Sequence, residues 1–391
     1  MKCARLSALV LVVLSLPVSA TPATAGRGED IVVGELITMR SEILEKEIRL
    51  LVTLPDEYGG TDERYPVLFT VQAYFLHTAG TVEQLARGQI PKMIYIHVDT
   101  YDSGDFLPTR IESKASSGGA DRFIEFFKKE LIPFVDSQYR TRPFRILQSS
   151  SWGGVFCLYT ALAQPDVFNG YIAATPWLIY DGDDEYMLSH AEGLLKDRSY
   201  ENRFLFTVLG NDPDPGLREG FEAISRILRD HAGGRLRFAS FYWEDEDHYS
   251  TPHKAVYEGL KWIFEAWREV PENVLAAGPD AIRAYRKRLA QLYGYDIGVG
   301  TAALGRYGMR RLREGELDQA IAVLELGAEW SPDKPWVFEQ LGRAYEAGGR
   351  LTAAKGSYES AYQIAKKRST SDLSRFREHI ERIQTKLDDA E

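Results

Sequence analysis

The chain has 391 residues, with 47 Lys and Arg against 57 Asp and Glu for a formal charge of −10, and 44% of it is hydrophobic. That length and apolar content suffice for a sizeable core and more than one domain, while the acidic balance argues against nucleic acid as a partner. Cys3 and Cys157 are its only cysteines, so no disulfide framework holds the fold.

Lys2 and Arg5 precede the apolar run from Leu6 to Val18, and the small residues Val18-Ser19-Ala20 and Ala23-Thr24-Ala25 offer cleavage sites. This layout predicts a signal peptide over residues 1–25 and a periplasmic or secreted bacterial protein. The run is shorter than the ~20 residues that span a bilayer, and no later segment is long and apolar enough to do so. Losing Lys2 and Arg5 with the signal takes the charge from −10 to −12. Cys3 would leave too, and Cys157 reads as a buried core residue.

Glu35–Ser41 and Glu47–Leu54 read as an opening antiparallel hairpin, followed by the turn-like Pro55 to Gly60. Tyr65–Val71 and Met93–Val98 are short apolar runs, as expected of strands buried on both faces of a parallel sheet. Phe123, Phe126, Phe127, Leu131 and Phe134 form a helical stripe over 122–134, introduced by Ser117-Gly118-Gly119-Ala120-Asp121. No Gly-Lys-Ser/Thr follows that glycine pair, so it reads as a helix start and not a phosphate loop. A strand at Phe144–Leu147 and a helix at Val155–Leu162 follow. Further strands are expected at Val167–Ala174, Arg203–Leu209 and Arg237–Trp243, with helices at Gly216–Leu228 and His253–Trp267. The alternation predicts an α/β fold, whose reacting groups gather beyond the carboxyl ends of the strands.

Three segments fall at such ends. Ser149-Ser150-Ser151-Trp152-Gly153-Gly154 joins a strand to a helix and reads as a modified nucleophile elbow, G-x-S-x-G with Ser149 in place of the first glycine. A serine forced into that turn projects its Oγ, while the next backbone N–H faces the developing oxyanion. Ser151 is then the nucleophile and Trp152 N–H the first oxyanion donor. Ser149 adds a Cβ and a hydroxyl in a crowded turn, where it is expected to introduce strain. Gly210-Asn211-Asp212-Pro213-Asp214 and Glu244-Asp245-Glu246-Asp247-His248 follow the later strands, giving the order Ser, acid, His. His248 is the candidate base. Asp212 and Asp214 compete to orient it, with Asp212 preferred because it comes sooner after its strand. His248 and His253 lie five apart across Pro252, unlike the i, i+4 pair of a zinc hydrolase, so neither metal nor cofactor is expected.

Residues 31–268 resemble the putative-esterase family of α/β-hydrolases, which includes ferric enterobactin and salmochelin esterases and is related to esterase D. The resemblance is carried by Tyr65-Pro66-Val67-Leu68-Phe69, Leu107-Pro108-Thr109-Arg110, Gly118-Gly119-Ala120-Asp121-Arg122-Phe123, Glu130-Leu131-Ile132-Pro133-Phe134, Tyr139-Arg140-Thr141 and Glu246-Asp247-His248. It implies an ester hydrolase with Ser151 as nucleophile and His248 as base. Where family members carry Gly-His-Ser-Phe-Gly-Gly this chain has Ser149 to Gly154, and where they carry Asp-Gly it has Gln72-Ala73-Tyr74. The second oxyanion donor is thereby expected from the backbone of Ala73 or Tyr74, with Tyr74 favoured by motif alignment.

Pro271 to Pro279 reads as a connector, so the hydrolase is expected over residues 26–270 and a helical region over 271–391. Asp280–Tyr293 is helical in pattern. Gly308, Gly315, Leu317 and Ala320 then recur 34 residues later as Gly342, Gly349, Leu351 and Ala354. That is the tetratricopeptide period, with copies over about 301–334 and 335–368 and a last helix at 372–387. Two repeats cannot bury a full solenoid core, so they are expected to pack on the hydrolase, on another subunit or on a protein partner. The chain as a whole resembles exported esterases with a tetratricopeptide-like tail, acting on a small-molecule ester such as a siderophore ester. The competing expectation is a catalytically weak hydrolase fold serving as a scaffold through its repeats.

Overall fold

The computed structural model describes residues 32–100, 103–112, 116–179, 186–196, 198–232, 236–367 and 373–390. The expected signal peptide lies outside the described residues. Among the described residues eight strands form one sheet: β1 (Glu35–Ser41), β2 (Lys46–Thr53), β3 (Tyr65–Val71), β4 (Ile94–Asp99), β5 (Thr141–Ser150), β6 (Gly170–Ala174), β7 (Arg203–Gly210) and β8 (Leu236–Trp243). Their order is β1-β2-β4-β3-β5-β6-β7-β8. β1 and β2 pair antiparallel, β2 runs antiparallel to β4, and β4 to β8 are parallel throughout.

β3 is buried along its whole length, and successive side chains enter different cores. Val67, Phe69 and Val71 join one face, whereas Leu68 joins the other. The first face is covered by α2 (Ala120–Phe126), α3 (Ile132–Gln138), α4 (Trp152–Ala163), α5 (Tyr186–Lys196) and α6 (Pro215–His231); the second by α1 (Phe75–Leu85) and α7 (Thr251–Ile263). A π-helical turn, Phe127–Leu131, joins α2 to α3. Glu130 on that turn accepts from Ser41 Oγ at 2.5 Å and from the backbone N–H groups of Glu42 and Ile43 at 3.0 Å, which ties down the β1–β2 hairpin. Cys157 in α4 is wholly buried, and burial pushes its thiol pKa up, as befits a core residue.

The chain crosses from β3 to β4 on one side and returns through β5 on the other. This reversal opens the switch-point crevice at the carboxyl ends of β3 and β5.

Beyond β8 the chain is helical: α8 (Glu265–Arg268), α9 (Glu272–Ala276), α10 (Pro279–Tyr293), α11 (Thr301–Arg313), α12 (Leu317–Trp330), α13 (Pro335–Ala347), α14 (Leu351–Lys367) and α15 (Leu373–Asp388). The 34-residue spacing has a structural meaning. An added Cβ on Gly308 would meet Leu324 Cγ at 2.5 Å, and one on Gly342, 34 positions on, would meet Tyr358 Cε1 at 2.7 Å, so each glycine lets its helix pair close. Gly315 and Gly349 hold left-handed φ of 82° and 68° between the helices of each pair, conformations that glycine adopts without penalty.

The core does not stop at Pro271. Tyr293 of α10 is buried with its ring 5.3–5.7 Å from those of Phe144, Phe204 and Phe264, and its hydroxyl donates to Ile263 O at 2.8 Å. Gly34–Glu391 accordingly forms one compact unit. Among the described residues no helix is long and apolar enough to cross a membrane.

Candidate active site

β5 runs to Ser150, and Ser151 then turns the chain into α4 with φ 58° and ψ −124°. A non-glycine residue in the left-handed region is costly and persists where its surroundings hold it. Ser151 N–H donates to Ala174 O at 3.1 Å, and its carbonyl accepts from Val155 N and Trp177 N, both at 3.2 Å. The elbow is therefore fixed from the adjacent strand β6 and from its own helix. Gln72 and Thr175, directly after β3 and β6, likewise have positive φ, 47° and 41°. Three adjacent strands thus each end in a strained residue at the switch point.

Ser149 does not strain the turn. It sits in register with Val71 and Ala173, is fully buried, and donates its hydroxyl to Val71 O at 2.7 Å. Its Oγ fills the space above Gly153, where an added Cβ would lie 1.9 Å away. The missing side chain of Gly153, the second glycine of the motif, leaves room for this hydroxyl. Ser149→Gly should therefore cost about 1–2 kcal/mol through the lost buried hydrogen bond and the freer backbone, without raising kcat. Denaturant unfolding and ester kinetics check this, and a faster enzyme of equal stability would contradict it.

Asp212 and His248 meet across the ends of β7 and β8. Asp212 Oδ2 lies 3.0 Å from His248 Nδ1, and Asp212 Oδ1 accepts from Asp214 N–H at 3.2 Å. The carboxylate side chain is 8% exposed, so little water competes for it. Asp214 is used elsewhere: it caps α6, accepting from Gly216 N–H at 3.0 Å. An Asp followed by proline at a helix start carries that signal in the sequence, N-cap and first helical residue. Asn211 N–H donates to Glu246 O at 2.6 Å, which joins the two loops. Asp247 shapes the histidine turn by accepting from the N–H groups of Tyr249 and Ser250 at 2.8 Å, and these bonds hold its carboxyl pKa low.

Trp177 links the two halves. Its N–H holds the Ser151 carbonyl, and its indole stands edge-on to the His248 ring at 5.6 Å. No hydrogen bond joins Ser151 Oγ to the imidazole among the described residues; in unliganded sites such bonds are often long and tighten when substrate binds. Trp152 opens α4 beside Ser151, and Tyr74 caps α1 two residues after Gln72. The Tyr74 ring is 48% exposed and stacks on His253 at 4.7 Å, with Leu76 and Tyr249 exposed to 69% and 72% nearby in sequence to it and to His248. Burial and the neighbouring His77 lower the His253 pKa. Among the described residues no group of His, Cys, Asp and Glu could hold a metal ion.

A family model described as "Putative esterase" matches residues 41–255, more than half of the chain. The chain belongs to this family. In Bacillus subtilis, the uncharacterized protein YjcH is 29% identical over 146 residues, 35% of this chain and 59% of that protein. Ferri-bacillibactin esterase BesA of the same organism is 28% identical over 139 residues, 29% of this chain and 47% of BesA. The chain thus spans about half the length of the curated relatives it matches. The IroE-like serine hydrolase of Shewanella oneidensis superposes with a TM-score of 0.66 at 22% identity, over 76% of this chain and 99% of that one, a likeness of fold. The esterase-family sheet and its flanking helices are therefore the α/β-hydrolase arrangement expected from the sequence.

Sequence reasoning missed Gln72 and Trp177 as parts of the site. Gln72 was visible only as a departure from the family's Asp-Gly, and the turn Thr175-Pro176-Trp177 carries no motif.

Proposed function

We propose that the chain hydrolyses carboxylic esters by a Ser-His-Asp mechanism. Ser151 Oγ attacks the ester carbonyl while His248 Nε2 takes its proton. The ring then returns that proton to the leaving alkoxide, and water repeats the sequence to release the acid and regenerate Ser151. Asp212 keeps the proton on Nδ1 and stabilises the imidazolium. The backbone N–H groups of Trp152 and Tyr74 receive the oxyanion, each worth about a hundredfold in rate.

The observation that carries this reading is the Asp212–His248 pair at 3.0 Å beside an elbow serine at φ 58°, bridged by Trp177. The exposed rings of Tyr74 and Tyr249 suit an apolar or aromatic acyl group. With BesA named for ferri-bacillibactin, a siderophore ester is the substrate class we favour. We further place the mature protein in the periplasm or outside the cell, after removal of residues 1–25. The helical pairs beyond Pro271 are read as tetratricopeptide-like and as a surface for self-association or a protein partner.

A fluorophosphonate probe followed by peptide mapping tests the mechanism. The expected result is one label, on Ser151, with parallel loss of hydrolysis of short acyl esters. A folded chain that neither labels nor hydrolyses would instead favour a scaffold role for the fold.

A further inference from the structure

Ser151 stands at the N-cap of α4, and serine is among the residues that most readily cap a helix, accepting from the N–H of the second or third helical residue. A nucleophile placed there has a competing use for its oxygen. α4 begins at Trp152, so Gly153 is the second helical residue, and its N–H is one of the donors that a helix start leaves without an intrahelical acceptor.

That donor is taken from outside the helix. Gly153 N–H donates to Gln72 Oε1 at 2.7 Å, and Ser151 makes no capping bond. Gln72 is held for this task. Its φ of 47° turns the chain as it leaves β3, and its carbonyl accepts from Ser150 Oγ at 2.8 Å. One residue earlier, the Val71 carbonyl accepts from Ser149 Oγ at 2.7 Å. Gly153 has no side chain to interfere, since an added Cβ would lie 3.2 Å from Gln72 Oε1.

We propose that Gln72 is a positioning residue that caps α4 in place of Ser151, so that the serine hydroxyl is not drawn into capping its own helix. The same bond ties the β3–α1 loop, which carries Tyr74, to the helix that carries Trp152, and so fixes the two oxyanion donors relative to each other. This inference rests on Ser151 being the nucleophile.

Gln72→Leu keeps the volume and removes the acceptor, which offers Gly153 N–H to Ser151 Oγ. Expected are a fall of about tenfold in kcat, from the strength with which serine caps a helix, a KM within about twofold of the parent, and an equal fall in the rate constant for fluorophosphonate inactivation. Gln72→Glu restores an acceptor to Gly153 N–H and should recover most of the inactivation rate. A folded Gln72→Leu chain with the parent kcat and inactivation rate, whatever its melting temperature, would overturn the proposal, as would a Gln72→Glu chain no faster than Gln72→Leu. Ser151→Ala is measured alongside. If it retains activity, the assignment of the nucleophile fails; if it is inactive while Gln72→Leu is unimpaired, this inference alone fails.

Discussion

Ser151→Ala is expected to lower kcat by about 10⁶-fold, the scale on which removing an activated serine nucleophile acts. The chain should stay folded, because the Ser151 backbone makes the bonds to Ala174, Val155 and Trp177. Asp212→Asn should cost about 10⁴-fold, for a reason written in its two oxygens. Oδ1 accepts from Asp214 N–H and Oδ2 faces His248 Nδ1, so the amide oxygen of an asparagine would keep the first bond and its NH₂ would face the ring. The ring would then have to accept at Nδ1 and carry its proton on Nε2, where it cannot take one from Ser151. Asp214→Asn leaves the histidine alone, and asparagine caps a helix about as well as aspartate, so activity should stay within about threefold of the parent. Steady-state kinetics on the three purified variants check this, and a larger loss in Asp214→Asn than in Asp212→Asn would transfer the orienting role.

The parts of this fold that could be read from the sequence are those fixed by local pattern. Tyr65–Val71 is a short run that is apolar but for Thr70, and it became β3 with the bounds expected. The elbow was legible because strand, small residues and helix follow one another within a dozen positions. α1 was not, since Thr78, Gly80 and Thr81 weaken its helical pattern and its burial comes from α7 and the sheet. The neighbours of the serine were hidden for a different reason. Gln72 acts through Gly153 and Trp177 through both Ser151 and His248, contacts that arise only when separate strand ends are brought to one sheet edge. The Ser149 hydroxyl reads as an intruder in a motif until the Val71 carbonyl appears opposite it. The boundary at Pro271 misleads in the same way: that proline only separates α8 from α9, and the buried side chains continue across it.

That continuity predicts how truncation acts. A chain ending at Pro271 loses Ile282, Leu289 and Tyr293 of α10 with Leu304 and Tyr307 of α11, all buried in the core that also holds Phe144, Phe204 and Phe264. Each such side chain contributes about 2 kcal/mol by burial, and together they reach the ~5–15 kcal/mol that holds a whole domain folded. The polar ties go as well: Tyr285 OH to Ala266 O at 2.6 Å, Tyr293 OH to Ile263 O at 2.8 Å and Gly300 N–H to Trp267 O at 3.0 Å. The shortened chain should therefore aggregate or melt far below the parent, even though β1 to β8 and the loops that carry Ser151, Asp212 and His248 precede the cut. A chain ending at Pro332 is the informative partner. It keeps α10 to α12 and gives up α13 to α15; α13 shares a small cluster with Ile321, Leu324 and Ala328 of α12, and α14 and α15 form clusters of their own, all outside the sheet core, so it should fold cooperatively and retain ester hydrolysis. Melting curves and serine-probe labelling of both chains decide the matter, and a soluble chain ending at Pro271 with the parent's melting temperature would mean that the helices only lean on a core complete without them.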